Sequence, residues 1–346
     1  MREVIALVSA PSGFAGAVGP LPVETPWWNH VEPVNAALEG VLGVPCSVLR
    51  LVSTTGRGMR GGVVTYHVEA HGEPDRSQLH PGERPSCDAP KRLPWARLGG
   101  PAELVAWADE HVTRTGPAVQ VRTWNLSSLH RLPTADGPVW LKALPPFASD
   151  EAALIKTVAA CDPPLVPRVL ADAPGRLLLS HVPGEDCWNL TPEVIREIVP
   201  RYVAVQAKLA GPNPGVQPRP VAMPSFGLPD TLVHGDFYPG NWRSSGVVID
   251  WADSTWGHPA YDAARLIAFT EDPSLHHLIT EVWSHAWRTH FPDSEPELAL
   301  RTARPVAHLL TAVKYQEFLD NIEDSERVYH EGDPAEELRT AQSLAG

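Results

Sequence analysis

Cysteine is scarce in this 346-residue chain: only Cys46, Cys87, Cys161 and Cys187, far apart and never in a C-x-x-C pair. That spacing argues against a disulfide framework or a thiolate zinc site and points to reduced thiols, as expected in a cytoplasm. No apolar run approaches the roughly 20 residues that span a bilayer, so no membrane association is expected. The short apolar stretch from Val4 to Ala10 follows Glu3 and precedes Gly13, which fits a strand better than a signal peptide. Positive charge is also in short supply, with 28 Lys and Arg against 41 Asp and Glu and a net charge of -13. A chain of that sign disfavours nucleic acid and suits a neutral or cationic partner. Internal repeats and low-complexity tracts are absent. What the chain does have is 43% hydrophobic residues, enough for real cores, a length that predicts more than one domain, and 37 prolines that stiffen its loops.

Two short runs carry the chemistry. His234-Gly235-Asp236-Phe237-Tyr238-Pro239-Gly240-Asn241 follows an apolar strand, Thr231-Leu232-Val233, and precedes a second apolar strand, Val247-Val248-Ile249, ending in Asp250-Trp251. Alone, the first reads as a turn and the second as a strand end. Together they set two carboxylates and one amide at the spacing that phosphoryl transfer from a nucleotide uses. Asp236 can take the proton of an acceptor hydroxyl. Asn241 and Asp250 offer oxygen ligands to Mg²⁺, a hard ion that prefers them. Gly240 lets the backbone turn back between the two.

The order base Asp, Asn, strand-end Asp is that of the protein-kinase catalytic loop. With His-Gly-Asp and Ile-Asp-Trp as the local sequences, the chain resembles the aminoglycoside phosphotransferase-like family of antibiotic and small-metabolite kinases. The resemblance implies an α+β, protein-kinase-like two-lobed fold with a β-rich N-lobe over residues 117–182 and a helical C-lobe over 183–346. It also implies Mg²⁺ and ATP, with GTP as the alternative nucleotide, and a small-molecule hydroxyl acceptor. Lys142 ends the strand from Pro138 and corresponds to the family's phosphate-contacting Lys. Glu151, near the start of a helix N-capped by Ser149, corresponds to its carboxylate partner. A solvated strand-end Lys and a first-turn charge are the plainer readings of these two. Residues 176–182 form a strand leading to the hinge, where Ser180, His181 and Val182 are candidates for adenine contacts. His234 and Asp262 are expected to be structural supports.

The chain departs from the kinase pattern twice. A G-x-G-x-x-G loop is missing; the turn before the Lys strand holds Ser127 and Ser128, which either donate to phosphate or cap a hairpin. No Arg adjoins Asp236, so activation by loop phosphorylation is not expected. Helical periodicity covers residues 192–209 and the segment after Gly257.

Residues 1–116 fall outside the resemblance. A helix over 31–42, strands over 46–52 and 62–70, and a helix over 102–112 predict a small α+β extension ending in a connector helix. The helix-to-strand passage at Gly40–Val44 is faintly similar to a Nudix fold, without that family's carboxylates. The acceptor is the least specified part. The stretch from Tyr315 to Glu337 is acidic, and Glu317, Asp320 and Asp324 are candidates to attract a basic antibiotic; a solvated helix face is the other reading. Trp242, Trp251, Trp256, Trp283 and Trp287 offer stacking platforms for a sugar or nucleoside ring, or fill the core. The functional expectations are antibiotic phosphorylation, a metabolic sugar or amino-alcohol kinase, or a catalytically silent nucleotide-binding regulator, acting as a monomer or homodimer.

Overall fold

The alternating apolar residues of the N-terminus build a sheet before any kinase-like segment begins. The computed structural model describes all residues except Cys87, Arg219 and Gly346. The fold is α+β, and the chain divides into two compact units. The first comprises Met1–Pro146, Leu170–Leu179 and Glu317–Glu331; the second comprises Phe147–Val169, Ser180–Gln316 and Gly332–Gly346.

In the first unit, β1 (Arg2–Ala10), β2 (Gly13–Val23), β3 (Cys46–Thr54) and β4 (Val63–Ala70) form one sheet in the order β2-β1-β4-β3. Only the β1–β4 pair is parallel. Helix α1 (Glu32–Leu42) buries Val34, Leu38 and Leu42 at helical spacing. Gly43 ends it with φ 71°, its N–H donating to Glu39 O. Trp28, Tyr66 and Tyr329 complete this core, and the Tyr66 hydroxyl donates to Trp28 O at 2.6 Å. After α2 (Gly100–Asp109) come β5 (Val119–Thr123), β6 (Ser128–Leu132), β7 (Val139–Ala143), β8 (Val169–Ala173) and β9 (Arg176–Ser180). They form a five-stranded sheet in the order β5-β6-β7-β9-β8. Sequence periodicity misses β2, where Gly and Pro interrupt the alternation.

The second unit is mostly helical: α3 (Glu151–Ala159), α4 (Pro192–Leu209), α5 (Ala260–Ala268), α6 (Pro273–His290), α7 (Pro296–Asn321) and α8 (Asp333–Ala345). The last turn of α7, from Glu317 on, counts with the first unit. Two small antiparallel pairs hold the catalytic-loop candidates: β10 (Thr231–Val233) with β13 (Thr255–Gly257), and β11 (Trp242–Arg243) with β12 (Val247–Val248). The α3 cap is a correction. Asp150 accepts from the Ala153 N–H at 3.1 Å, while the Ser149 hydroxyl donates to Ser254 O at 2.7 Å. Trp242, Trp251, Trp256, Trp283 and Trp287 are all buried, which assigns them to the core. Cys46, Cys161 and Cys187 are free thiols, and Cys87 lies outside the described residues. Among the described residues no helix is long and apolar enough to cross a membrane.

Part of the acidic stretch is structural. Arg92 Nε donates to Glu323 at 2.8 Å, and Arg50 lies 3.3 Å from the same carboxylate. Glu326 accepts the Leu51 N–H at 3.2 Å. Burial, with Glu323 adding, pushes the Glu326 carboxyl up to about 8. Burial pushes His67 and His130 down to about 4, Arg50 and Arg92 contributing at His67.

These shifts have opposite signs in stability. Between about 4 and the ordinary value of 6.5 the unfolded chain binds more protons at the two histidines, so stability rises with pH. Between the ordinary 4.5 and about 8 the folded chain binds more protons at Glu326, so stability falls as pH rises. Above about pH 6.5 only the Glu326 slope remains of the three. Thermal unfolding should therefore show a lower Tm at about pH 8.5 than at about pH 6.5, and Glu326→Gln should flatten that decline. An equal decline in the variant would assign it to other groups.

Candidate active site

The buried strand β10 delivers the chain into a turn whose backbone is held by one carboxylate. Asp262, 2% exposed on α5, accepts the His234 N–H at 2.8 Å and the Gly235 N–H at 3.0 Å. The Tyr202 hydroxyl from α4 donates to the same carboxylate at 2.6 Å. Gly235 has φ 87°, a conformation that side chains other than glycine resist. Fully buried His234 then joins two loops. Its Nε2 lies 3.0 Å from Ile249 O, so that nitrogen carries the proton, and its Nδ1 accepts the Asp236 N–H at 3.3 Å. With both ring nitrogens engaged with backbone, His234 acts as a brace.

Asp236 follows. Its Oδ1 accepts from Arg265 Nε at 3.1 Å and Nη2 at 2.9 Å, and its Oδ2 accepts from Asn241 Nδ2 at 3.1 Å. Asn241 Nδ2 also donates to Asp236 O at 3.0 Å, so the amide nitrogen faces Asp236 and the amide oxygen is turned away. The β11–β12 hairpin sets Asn241 opposite Ile249, whose N–H donates to Asn241 O at 2.9 Å. That pairing brings the Asn241 and Asp250 positions to the same end of the hairpin. Asp250 is exposed and has φ 65°, a strained conformation for a side chain with a Cβ. Glu151, 1% exposed, accepts the Trp251 N–H at 3.1 Å and ties the start of α3 to this loop.

No Arg adjoins Asp236 in sequence, but Arg265 reaches it in space. It arrives from α5 rather than from the neighbouring sequence. Positions 262 and 265 lie one helical turn apart, so one helix face holds both the turn backbone and the Asp236 carboxylate. Enclosure by protein pushes the Asp236 carboxyl above its ordinary value; Arg265 opposes this and Asp253 adds to it. Arg265 is also hydrogen-bonded to Tyr315 and lies 3.9 Å from Glu337, whose other oxygen is 2.5 Å from His308 Nδ1.

The remaining candidates are divided between the two units. Lys142 is buried in β7 of the first unit. Ser127 and Ser128 sit at the β5–β6 hairpin; the Ser127 hydroxyl accepts from Trp124 Nε1 at 3.1 Å and Ser128 is buried in β6. The Ser127 hydroxyl thus bonds within the hairpin turn. Ser180 donates its N–H to Arg168 O at 2.9 Å, His181 is exposed and Val182 is half-buried. Glu317 is half-buried, Asp320 and Asp324 are exposed, and all three belong to the first unit, whereas Asp236, Asn241 and Asp250 belong to the second.

Residues 216–292 match the sequence model of the phosphotransferase enzyme family. That segment contains Asp236, Asn241, Asp250, Asp262 and Arg265. Among solved structures, a choline/ethanolamine kinase family protein from Mesorhizobium loti is 17% identical, covering 70% of this chain and 92% of that one with a TM-score of 0.46. A macrolide 2'-phosphotransferase from Brachybacterium faecium is 13% identical over 68% of this chain and 97% of that one, TM-score 0.46. A choline kinase from Cryptosporidium parvum is 9% identical over 71% and 96%, TM-score 0.48. A comparison with curated proteins returns no match.

Removing the Arg265 charge deletes the group that holds the Asp236 pKa down. In Arg265→Gln the Asp236 carboxyl should titrate at a higher pH than in the wild type, followed by carboxyl ¹³C NMR. An unchanged or lower titration point would mean that Arg265 does not set the charge of Asp236.

Proposed function

We propose that the protein transfers the γ-phosphoryl group of ATP to a hydroxyl of a small molecule. The observation that carries this reading is the bonding of Asp236. A carboxylate has about four lone-pair sites. Arg265 takes two on Oδ1 and Asn241 takes one on Oδ2, so one site on Oδ2 remains for the acceptor's O–H. In the transfer, the acceptor oxygen bonds to phosphorus, the bond from phosphorus to the ADP oxygen breaks, and the hydroxyl proton passes to Asp236. The family match over residues 216–292 supports the same reaction class.

Magnesium suits the residues available. The Asn241 amide oxygen and the Asp250 carboxylate are hard oxygen donors at one end of the hairpin, and the strained backbone of Asp250 is the kind of cost retained at functional positions. When bound, the ion would neutralise charge on the nucleotide phosphates. Lys142 and Glu151 take the nucleotide-binding roles that the resemblance implies, with Ser180, His181 and Val182 as hinge residues. The acceptor is an antibiotic or a metabolite carrying a sugar or amino alcohol. Retention of Asp236, Asn241 and Asp250 together speaks against a silent regulator.

Asp236→Asn should keep the fold and Mg-ATP binding but lose transfer by about 10²–10⁴-fold, measured as ADP release across a panel of antibiotics and amino sugars. Near-normal turnover would remove Asp236 from the mechanism. Asp250→Ala should weaken Mg-ATP binding more than Asn241→Ala, because it deletes a charge. Calorimetry giving the wild-type affinity for Asp250→Ala would overturn the metal assignment.

A further inference from the structure

Trp188 is 60% exposed, the most exposed tryptophan among the described residues, and Phe269 is 37% exposed. An indole left in water is unfavourable and marks a contact surface when it has aromatic neighbours. Trp188 has two in line. Its ring centroid is 5.4 Å from that of Tyr238, and Tyr238 is 5.0 Å from Phe269. Tyr238 is two residues after Asp236. Phe269 is one helical turn beyond Arg265, whose guanidinium lies 4.2 Å from the Phe269 centroid while also holding Asp236. All of these residues lie in the second unit.

The strip is built rather than incidental. The loop before Trp188 is fastened to the β11–β12 hairpin: the Cys187 N–H donates to Trp242 O at 3.0 Å, and Arg243 pairs with Asp186 at 2.5 Å. The Ser244 N–H donates to Glu185 O at 2.9 Å. Gly240 makes room for the rings, since a Cβ there would lie 2.5 Å from Tyr238 Cε2 and 2.6 Å from Trp188 Cζ2.

We propose that Trp188, Tyr238 and Phe269 form the platform on which the acceptor lies, and that the acceptor presents a neutral ring with an apolar face, as a sugar does. The proposal rests on the phosphotransferase reading of Asp236. Arg265, its charge paired with Asp236, already lies over the Phe269 ring and so occupies the place on that ring that a cationic head group would take. A sugar ring satisfies both demands: its C–H face packs on aromatic carbon, and its hydroxyls reach toward Asp236.

The test is ligand binding by saturation-transfer NMR on the full chain with Mg-ADP, using phenyl β-D-glucopyranoside and choline as probes. The glycoside should bind and choline should not. Trp188→Ala should weaken glycoside binding about tenfold and Trp188→Phe should restore most of it, the scale of one aromatic contact. Trp188 is exposed, so the fold should tolerate the change; Gly240→Ala, which displaces both rings, should give the same loss. Absence of glycoside binding, preference for choline, or indifference to Trp188→Ala would each overturn the platform. Glycoside binding that depends on Trp188 without ADP release from any glycoside would instead sink the phosphotransferase reading. ADP release from a glycoside with an acceptor KM untouched by Trp188→Ala would do the reverse.

Discussion

The Asp262 carboxylate accepts two consecutive backbone N–H groups, from His234 and Gly235, and a hydroxyl from Tyr202. It does so almost fully buried. Hydrogen bonds to a charged group are worth about 1.5–3 kcal/mol each, and removing the carboxylate would take that acceptor from all three donors. The rest of the site inherits its geometry from this anchor. Once His234 is fixed, its ring fixes the Ile249 carbonyl, and Ile249 precedes Asp250. The Ser254 hydroxyl closes the circuit by donating to His234 O at 3.2 Å. A loop and a strand end far apart in sequence are thereby held in one register.

Charge is arranged around that frame with less slack. A carboxylate as enclosed as Asp236 tends toward its neutral form, which could not accept a proton. Arg265 supplies the opposing charge from the same helix as Asp262. Burial still outweighs the guanidinium, and the carboxyl stays above its ordinary value. With its pKa raised and its oxygens fixed by Arg265 and Asn241, Asp236 is suited to accept a proton as well as to orient a hydroxyl, as the proposed transfer requires. Arg265 is in turn held by Tyr315 and Glu337, so α7 and α8 share in setting the charge of the site.

Local patterns in the sequence carried as far as single elements and the motifs on them. The helices at 32–42 and 192–209 follow from apolar residues at helical spacing, and the run from His234 to Asp250 fits a strand, a turn and a hairpin. Partners brought from elsewhere were not legible. Arg265 stands 29 residues from Asp236 and looks like an ordinary helical arginine until the helix is folded against the turn. Trp188 lies in a loop with no periodicity, and only its exposure separates it from the buried tryptophans. Ser149 has the residue type of an N-cap, yet the cap falls to Asp150 because the Ser149 hydroxyl finds Ser254 O.

The acidic C-terminal stretch illustrates the same limit in terms of charge. Composition counts its carboxylates alike, although Glu323 is buried between two arginines, Glu326 is buried with a raised pKa, and Asp320 and Asp324 face water. An excess of negative charge in sequence therefore has no single meaning in space. A buried carboxylate paired with arginine attracts nothing from solution, and an exposed one is screened beyond about 8 Å at physiological salt. On the proposed reading of Asp236, selection of an acceptor has to come from groups close to it. Asp236 is bonded to the Arg265 guanidinium and the Asn241 amide, and the aromatic strip includes Tyr238, two residues on. Such a surface discriminates by shape and by the match of apolar faces, more than by net charge.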